Sequence, residues 1–463
     1  MTRLFGSLFP VEMLALWLAD SLLSFIGIYV LLLPSGARVM VGAGLHPDTA
    51  NPAAVLALTI GLTSLAIGLY RPEICLRARR LLVNTVAAGI AAFPAILAAS
   101  LAFGFDMAHL MGSDRLGLAR VLMAWLACLL ATRAAFSAAC HRGLLDRPIL
   151  LIGGGARAAR VRAALAGESR GFFRLAAIVP PADAAAALHA RISGGRRRIW
   201  GVVVAGPVDG ALPDVELRRW RAAGVRVLSD TDFEEQHLGR IDVDALRPGA
   251  NARPSGGLDA PVRPPDRPIE ACLRRAFDIA ISLAVLALTT PLLLLTALAI
   301  KLDDPGPVFY RQERVGLNGR PFMLLKFRSM RVDAEARSGP TWAANDDPRV
   351  TRVGRFIRRL RIDEVPQIFN VLQGTMSFVG PRPERPHFVR QLEAALPGYR
   401  NRSVVKPGIT GWAQVNFPYA ASVEDARMKL GYDLYYIKHR SLMLDLSILL
   451  ATVRVILFQE GAR

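Results

Sequence analysis

Over the first 142 residues, long apolar runs alternate with short polar breaks. Runs near residues 11 to 33, 53 to 70, 81 to 104 and 117 to 139 approach the roughly 20 residues a helix needs to cross a bilayer. They predict a four-helix transmembrane bundle over 1–142. From Arg147 the apolar stretches shorten. RPILLIGGGARAARVRAAL reads as strand, glycine turn and helix, and RLAAIV, IWGVVVAG and GVRVLSD supply further strands. Residues 147–246 are therefore predicted to form a Rossmann-like α/β domain. A proline-rich linker, RPGANARPSGGLDAPVRPPDRP, spans 247–268. Residues 269–463 read as a mainly α domain that opens on one long apolar run, Phe277 to Ile300.

Charge orients these segments. Arg71, Arg77, Arg79 and Arg80 follow the second span, and Arg142 and Arg147 follow the fourth. The other two loops carry Arg38, Asp48, Asp106, Asp114 and Arg115, so both termini of the bundle are predicted on the cytoplasmic side. The first apolar stretch is long and lacks a basic start with a small-residue cleavage pattern, which argues against a removable signal peptide. Glu12, Asp20 and Arg133 read as snorkelling or interhelical groups, with an intramembrane pathway as the alternative. If Phe277–Ile300 crossed the bilayer, the basic region after Lys301 would lie on the far side. Pro291 follows Thr289 and Thr290 and offers a helix break, with hydroxyls at hand to satisfy freed backbone groups. Residues 276–302 are thus predicted as a re-entrant helix that enters and leaves on the cytoplasmic face. The final run, YDLYYIKHRSLMLDLSILLATVRVILF, suits either the bilayer interface or packing on the protein. Trp412 suits headgroup anchoring, substrate contact or a structural turn.

Composition changes the picture in two ways. The chain has 463 residues, 52% of them hydrophobic, and a mean hydropathy of +0.32, which marks a membrane protein long enough for two or three domains. Its net charge of +19 calls for anionic partners. No nucleic-acid-reading motif accompanies that charge, and anionic lipid headgroups account for it better. Five lysines, Lys301, Lys326, Lys406, Lys429 and Lys438, stand against more than fifty arginines. Cys75, Cys128, Cys140 and Cys272 form no C-x-x-C and no histidine pair has ligand spacing, which argues against zinc.

The glycine turn has the form G-x-G-x-x-A, but no acidic residue closes the following strand RLAAIV, and Asp183 comes several residues late. A structural or regulatory role fits this module better than a dinucleotide site. A nucleotide-sugar dehydratase would need a Tyr-x-x-x-Lys pair, which the chain lacks.

The densest chemistry lies between Arg349 and Arg385. Six arginines and no acid occupy 349–361, followed by Asp363-Glu364 and then Gly380-Pro381-Arg382-Pro383. Such a cationic run repels itself unless phosphates or a membrane surface compensate it. Asp363 reads as the N-cap of a short helix, with Pro366 in its first turn and Val365, Ile368, Phe369 and Leu372 as its buried stripe. The helix dipole and nearby guanidinium groups favour an ionised Asp363, available as a nucleophile or metal ligand, although Asp is also a common purely structural cap. The two prolines hold Arg382 for bidentate phosphate contact.

From about Ala276 onward the chain resembles the bacterial sugar transferases, the monotopic polyprenyl-phosphate phosphoglycosyl transferases. The blocks that carry the resemblance are ALTTPLLLLTALAIKLDDPGPVFYRQERVGLNGRPF, LLKFRSM, GRFIRRLRIDEVPQIFNVLQGTMSFVGPRPERP, VKPGITGWAQVN and KLGYDLYYIKHRSLMLDL. The preceding segments resemble the longer members of the exopolysaccharide type. The resemblance implies a two-step exchange. Asp363 attacks the β-phosphate of a UDP-sugar, UMP leaves, and undecaprenyl phosphate takes the phosphosugar from the covalent intermediate. It implies Glu364 as ligand to Mg²⁺, and Lys326, Arg358 and Arg382 as phosphate contacts. Where many members have a Thr-Ser pair before the dyad, this chain has Leu360-Arg361-Ile362. It further implies a bacterial inner membrane location with both non-bundle domains in the cytoplasm, and membrane lipids as partners. The competing class is a non-catalytic scaffold or nucleotide-sensing regulator of polysaccharide assembly. The four spans offer surface for a homodimer, but no small-xxx-small pattern selects one. The identity of the sugar is not legible in the chain.

Overall fold

A computed structural model describes residues 11–32, 47–70, 75, 78–103, 117–166, 172–187, 199–206, 214–246, 268–332, 349–417 and 422–457. The proline-rich linker, apart from Pro268, and the loops between the first four spans lie almost wholly outside the described residues. Two compact units are present, one built on residues 8–233 and the other on 234–463.

The first unit begins with α1 (Val11–Leu32), α2 (Pro47–Ile67), α3 (Ala78–Phe103) and α4 (Gly117–His141). Helix α1 packs on α2 and α4, and α2 packs on α3. Met13, Ile28, Ile60, Ile96 and Leu129 are buried between them, whereas Leu22, Ile90, Met123 and Leu130 face outward. An apolar exterior of this kind fits lipid, not water. Helices α1, α3 and α4 each contain a stretch long and apolar enough to span, while the apolar part of α2 is the shorter Asn51–Ile67. Asp20 and Arg133 form a buried ion pair at 3.1 Å between α1 and α4. Arg133 also lies 4.8 Å above the Tyr70 ring. The pair is an interhelical latch, since neither charge has water to solvate it there.

The same unit holds a parallel sheet of order β2-β1-β3-β4, made of β1 (Arg147–Ile152), β2 (Phe173–Val179), β3 (Gly201–Val204) and β4 (Arg226–Ser229). Helix α5 (Gly155–Ala166) follows the glycine turn and α6 (Asp214–Ala222) precedes β4. Leu150, Ile152, Val202, Val204 and Trp220 close the core. Apolar runs on β1 and β3 are buried throughout their central residues, as parallel strands covered on both faces require. Asp183 sits in a 3-10 turn, Pro181–Asp183, beyond the end of β2.

The second unit contains α7 (Pro268–Asp303), in which helical structure runs through Pro291 without interruption. The break expected from the sequence is therefore not seen as a gap in the helix. Proline removes a single ladder hydrogen bond, the one to the Ala287 carbonyl, while the Thr289 and Thr290 hydroxyls donate to the neighbouring Val285 and Leu286 carbonyls at 2.7 and 2.6 Å. Leu288, Leu294 and Leu295 on its middle portion are exposed, and the helix is the most apolar of the span-length candidates. The antiparallel hairpin β5 (Phe309–Val315) and β6 (Pro321–Phe327) follows. Then come α8 (Arg352–Arg359), a 3-10 helix Ile362–Gln367, α9 (Ile368–Gln373), β7 (Ser377–Val379) and α10 (Pro386–Ala395). Strand β8 (Gly408–Thr410) pairs in parallel with β7, and α11 (Trp412–Asn416), α12 (Val423–His439) and α13 (Leu442–Leu457) complete the unit.

Residues 234–246, which the apolar pattern groups with the α/β module, pack in this second unit as a strap along α12. The Glu235 carboxylate receives Lys438 Nζ at 2.9 Å and meets His439 Nε2 at 2.8 Å. Trp412 donates its indole N–H to the Gly239 carbonyl at 2.8 Å, Ile241 N–H donates to the Gly431 carbonyl at 3.0 Å, and Arg427 pairs with Asp244 at 3.0 Å. A Cβ at Gly431 would lie 2.6 Å from the Ile241 carbonyl oxygen. Close approach of the strap explains a glycine within a helix, where it costs roughly 1 kcal/mol relative to alanine. Of the alternatives for Trp412, the structure selects the structural one.

Candidate active site

The dyad sits where one helix ends and a tighter one begins. Thr351 caps α8, its hydroxyl accepting from Gly354 N–H at 2.9 Å. Arg361 then takes a left-handed backbone with φ of 56°. Such a conformation in a non-glycine residue costs roughly 1–2 kcal/mol and redirects the chain. Ile362 turns into the core with Ile300, Phe327 and Ile357, which aims Asp363 and Glu364 away from it. Asp363 thus lies in the first turn of the 3-10 helix, whose cap is Arg361. The N-cap assignment for Asp363 is corrected, the cap lying two residues earlier at Arg361. Phe369, expected in the buried stripe, is exposed, because the tighter 3-10 winding rotates α9 relative to an uninterrupted α-helix.

Side chains from three elements hold the dyad in register. Lys326 reaches from β6 to Glu364 Oε1 at 3.3 Å, and Arg382 meets the same oxygen at 2.6 Å. Arg361 lies 3.7 Å from Oε2. Asn370 fixes α9 to β6, accepting from Leu325 N–H at 3.0 Å and donating to the Met323 carbonyl at 2.8 Å. Arg275 donates to the Val371 and Leu372 carbonyls at 2.6 and 2.5 Å, where a cation suits the end of α9. Asp278 accepts from the Ser377 hydroxyl at 2.9 Å and from Phe378 N–H at 2.8 Å.

The Gly-Pro-Arg-Pro loop is held at four successive carbonyls. Gly408 N–H donates to Pro381 O at 3.0 Å, Arg402 to Arg382 O at 2.9 Å, Arg314 to Pro383 O at 3.0 Å and Val315 N–H to Glu384 O at 2.9 Å. Arg402 is itself oriented by Asp433 at 2.9 Å and by the Tyr399 hydroxyl at 2.9 Å. Gly380 N–H bonds to the Thr410 carbonyl, and a Cβ at Gly380 would lie 2.5 Å from the Lys406 carbonyl oxygen. The loop cannot carry a larger residue there and keep its place.

The two carboxylates differ sharply. Burial raises the Glu364 pKa, but Arg382 and Lys326 outweigh it and hold the group well below the usual carboxylate range. Burial first, and the charge of Glu364 next, push Asp363 up to about 6, against Lys326, Arg358 and Arg382. Helix-end arguments from sequence favour an easily ionised Asp363, and burial reverses that sign. Burial also lowers the Lys326 ammonium pKa, opposed by Glu364. Among the described residues, no hydrogen bond or ion pair engages the Asp363 carboxylate. Arg358, on α8, reaches Asp363 only through its field.

Of the five residues expected from sequence, the structure brings Lys326, Glu364 and Arg382 into direct contact, with Asp363 adjacent and Arg358 one turn away. Sequence reasoning missed Arg314, Asn370, Arg402 and Asp433. Nothing local in the sequence marks these four. Among the described residues, no cluster of three or more His, Cys, Asp or Glu gathers as a metal cage. The oxygen donors at hand are Asp363, whose carboxylate makes no hydrogen bond or ion pair among the described residues, and Glu364, and one or two carboxylates with phosphates are the donor set Mg²⁺ takes.

A carboxylate dyad set among buried cations thus lies in a unit that opens on a long apolar helix. The bacterial sugar transferase family profile matches residues 269–459, the region that contains every part of this site. The chain belongs to that family. It is 44% identical over 249 residues to the UDP-N-acetylgalactosamine-undecaprenyl-phosphate N-acetylgalactosaminephosphotransferase of Aeromonas hydrophila, covering 53% of this chain and 56% of that one. It is 44% identical over 193 residues to the UDP-glucose:undecaprenyl-phosphate glucose-1-phosphate transferase of Caulobacter vibrioides, covering 41% of this chain and 71% of the relative. Against the exopolysaccharide production protein PSS of Rhizobium leguminosarum bv. phaseoli it is 41% identical over 193 residues, covering 40% of this chain and 95% of that one. The matched part of this chain spans about half the length of the Aeromonas relative.

Proposed function

We propose that this protein transfers a phosphosugar from a UDP-sugar to undecaprenyl phosphate, releasing UMP, as the membrane-bound first step of exopolysaccharide or capsule assembly. The observation that carries the reading is the division within the dyad. Glu364 is locked by Lys326 and Arg382, while the Asp363 carboxylate is left without a partner among the described residues. A carboxylate whose pKa lies near 6 is more basic than an ordinary one yet mostly ionised at neutral pH, which suits a nucleophile.

In the first step an Asp363 oxygen forms a bond to the β-phosphorus and the bond from that phosphorus to the bridging oxygen breaks. UMP leaves with the electron pair, and an acyl phosphosugar remains. In the second step a phosphate oxygen of the polyprenol attacks the same phosphorus and the Asp363 carboxylate departs. Lys326, Arg358 and Arg382 balance charge on the phosphate oxygens. Glu364 would hold Mg²⁺, which supplies further charge neutralisation on the diphosphate.

A re-entrant α7 fits the same reading. Its N-terminal part is tied to α9 through Arg275, and its C-terminal part packs on the Phe327 and Ile362 cluster through Leu293, Ala297 and Ile300. A straight helix would set Arg275 and Ile300 about 38 Å apart, far for one small domain to hold at both ends. A bend at Pro291 shortens that span and leaves the exposed leucines for the bilayer. With this bend, the site faces the cytoplasm at the inner membrane, where nucleotide sugars occur.

The test is UMP release by lipid-embedded protein with Mg²⁺ and a panel of UDP-sugars, with and without undecaprenyl phosphate. The reading expects a burst near one equivalent without acceptor and turnover with it. No release from any donor would overturn it in favour of the scaffold.

A further inference from the structure

Beyond the dyad, a cavity with about 60 Å³ of space for water opens next to the Gly-Pro-Arg-Pro loop, between α10, the 3-10 turn Tyr399–Val404 and α12. That is room for roughly four to six waters, whose places the hydroxyls of a ring can take. Glu384, Phe388, Tyr399, Ser422 and Lys429 line it, together with the Arg402–Asp433 pair. A second hollow, of about 20 Å³, shares Glu384, Tyr399 and Arg402 and includes Arg382 itself. The two hollows therefore neighbour each other, and the smaller one reaches Arg382.

Neither the dyad chemistry nor the packing uses Lys429. Its ammonium forms no hydrogen bond to a described residue, and burial holds its pKa below the usual range, with Glu384 opposing. The lining is also balanced in sign. Two carboxylates, Glu384 and Asp433, face two cations, Lys429 and Arg402. That pattern gives a further phosphate no net attraction, and it is too polar for a polyprenyl chain. It complements a neutral ring rich in hydroxyls, each both donor and acceptor, with Phe388 and Tyr399 supplying an apolar wall. Glu384 lies two residues beyond Arg382, roughly 7 Å along extended backbone, about the reach from a bound phosphate to its attached sugar ring.

We propose that this cavity receives the hexose of the donor, with Glu384 and Lys429 hydrogen-bonding its ring substituents and setting which sugar is accepted. The inference rests on the UDP-sugar reading and adds the place where the sugar is distinguished. Glu384 keeps Arg314 at 3.6 Å whatever the sugar, but a hydroxyl inverted at one carbon would leave Lys429 without its partner, and unpaired buried polar groups are what give such sites their discrimination.

The experiment compares full-length wild type, Lys429→Met and Glu384→Gln in lipid nanodiscs. It measures the KM of each UDP-sugar in a panel that includes C4 epimers, and the inhibition constant of UMP. Both replacements are close in size to the originals, and thermal unfolding of each variant confirms its fold. The expected result is a KM for the preferred donor raised about ten-fold, a narrowed preference between epimers, and a UMP inhibition constant unchanged within two-fold. An unaltered KM and epimer preference in both variants, with wild type turning over, would overturn the sugar site alone. A UMP constant that rises in step with KM would also overturn it, assigning the cavity to the nucleoside. Absence of UMP release by wild type itself would overturn the donor reading and this inference together.

Discussion

Arg402 donates to the main-chain carbonyl of Arg382 at 2.9 Å while Asp433 grips the same guanidinium. One arginine thereby sets the direction of another, and the charge on Arg382 reaches Glu364 along a path that begins on α12. Asp433 is 3% exposed at its side chain, so its negative charge is available to Arg402 almost undiluted by solvent. Replacing Arg402 with Lys keeps the charge and loses the fork that joins Arg382 O, Tyr399 and Asp433. The expected outcome is a loss of about a hundred-fold in kcat/KM for the donor, read by UMP release, with membrane insertion intact.

Asp363→Asn should abolish turnover and the acceptor-independent burst alike, because an amide does not displace UMP. Glu364→Gln should lower the rate and weaken the dependence on Mg²⁺ concentration. Turnover retained by Asp363→Asn at wild-type levels would refute the nucleophile assignment.

The raised Asp363 pKa fixes a pH dependence. Activity that requires the ionised carboxylate should climb about ten-fold per pH unit below about 6 and level off above it. Stability runs the opposite way. Because the folded pKa exceeds the usual 3.8, the group favours the folded state most at low pH, and that contribution is lost as pH rises through about 6. Asp363→Asn should therefore raise the melting temperature more at pH 8 than at pH 5. An increase confined to pH 5 would contradict the direction of the shift.

Gly431→Val places side-chain atoms against the Ile241 carbonyl, and should destabilise the second unit by about 1–3 kcal/mol. Scanning fluorimetry in detergent would show a lower melting temperature. Val at exposed Met443 on α13 should leave it within about 0.5 kcal/mol of wild type.

Topology offers a direct check on α7. A reporter fused at residue 265 and one fused at the C-terminus should both report the cytoplasm. A periplasmic signal from the C-terminal fusion would mean that α7 crosses the membrane.

Long-range apolar periodicity made the bundle and the parallel strands legible, because lipid and a buried sheet impose strong, regular patterns. Arg382 and the dyad were legible through unusual local company, prolines on one side and arginines on the other. Arg402 and Asp433 were not, since they act on the loop across 20 and 51 residues of sequence from Arg382 and nothing local marks such a meeting. The 3-10 winding after Arg361 was equally hidden. It depends on a left-handed arginine, a conformation that residue type disfavours. The strap was missed because its pattern continues the preceding module's, while its partners lie almost two hundred residues onward.

That strap also limits how this chain can be recombined. Its docking residues fall before residue 269, where the family match begins, so a chimera spliced at the family boundary would discard them. Trp412, Lys438 and Gly431 would lose their partners, and the graft would inherit a bare indole, an unpaired ammonium and a helix weakened by a glycine with no remaining purpose. A graft of the second unit has to carry residues 234–246 along with it, so its cut belongs before this short stretch and not in the linker after it.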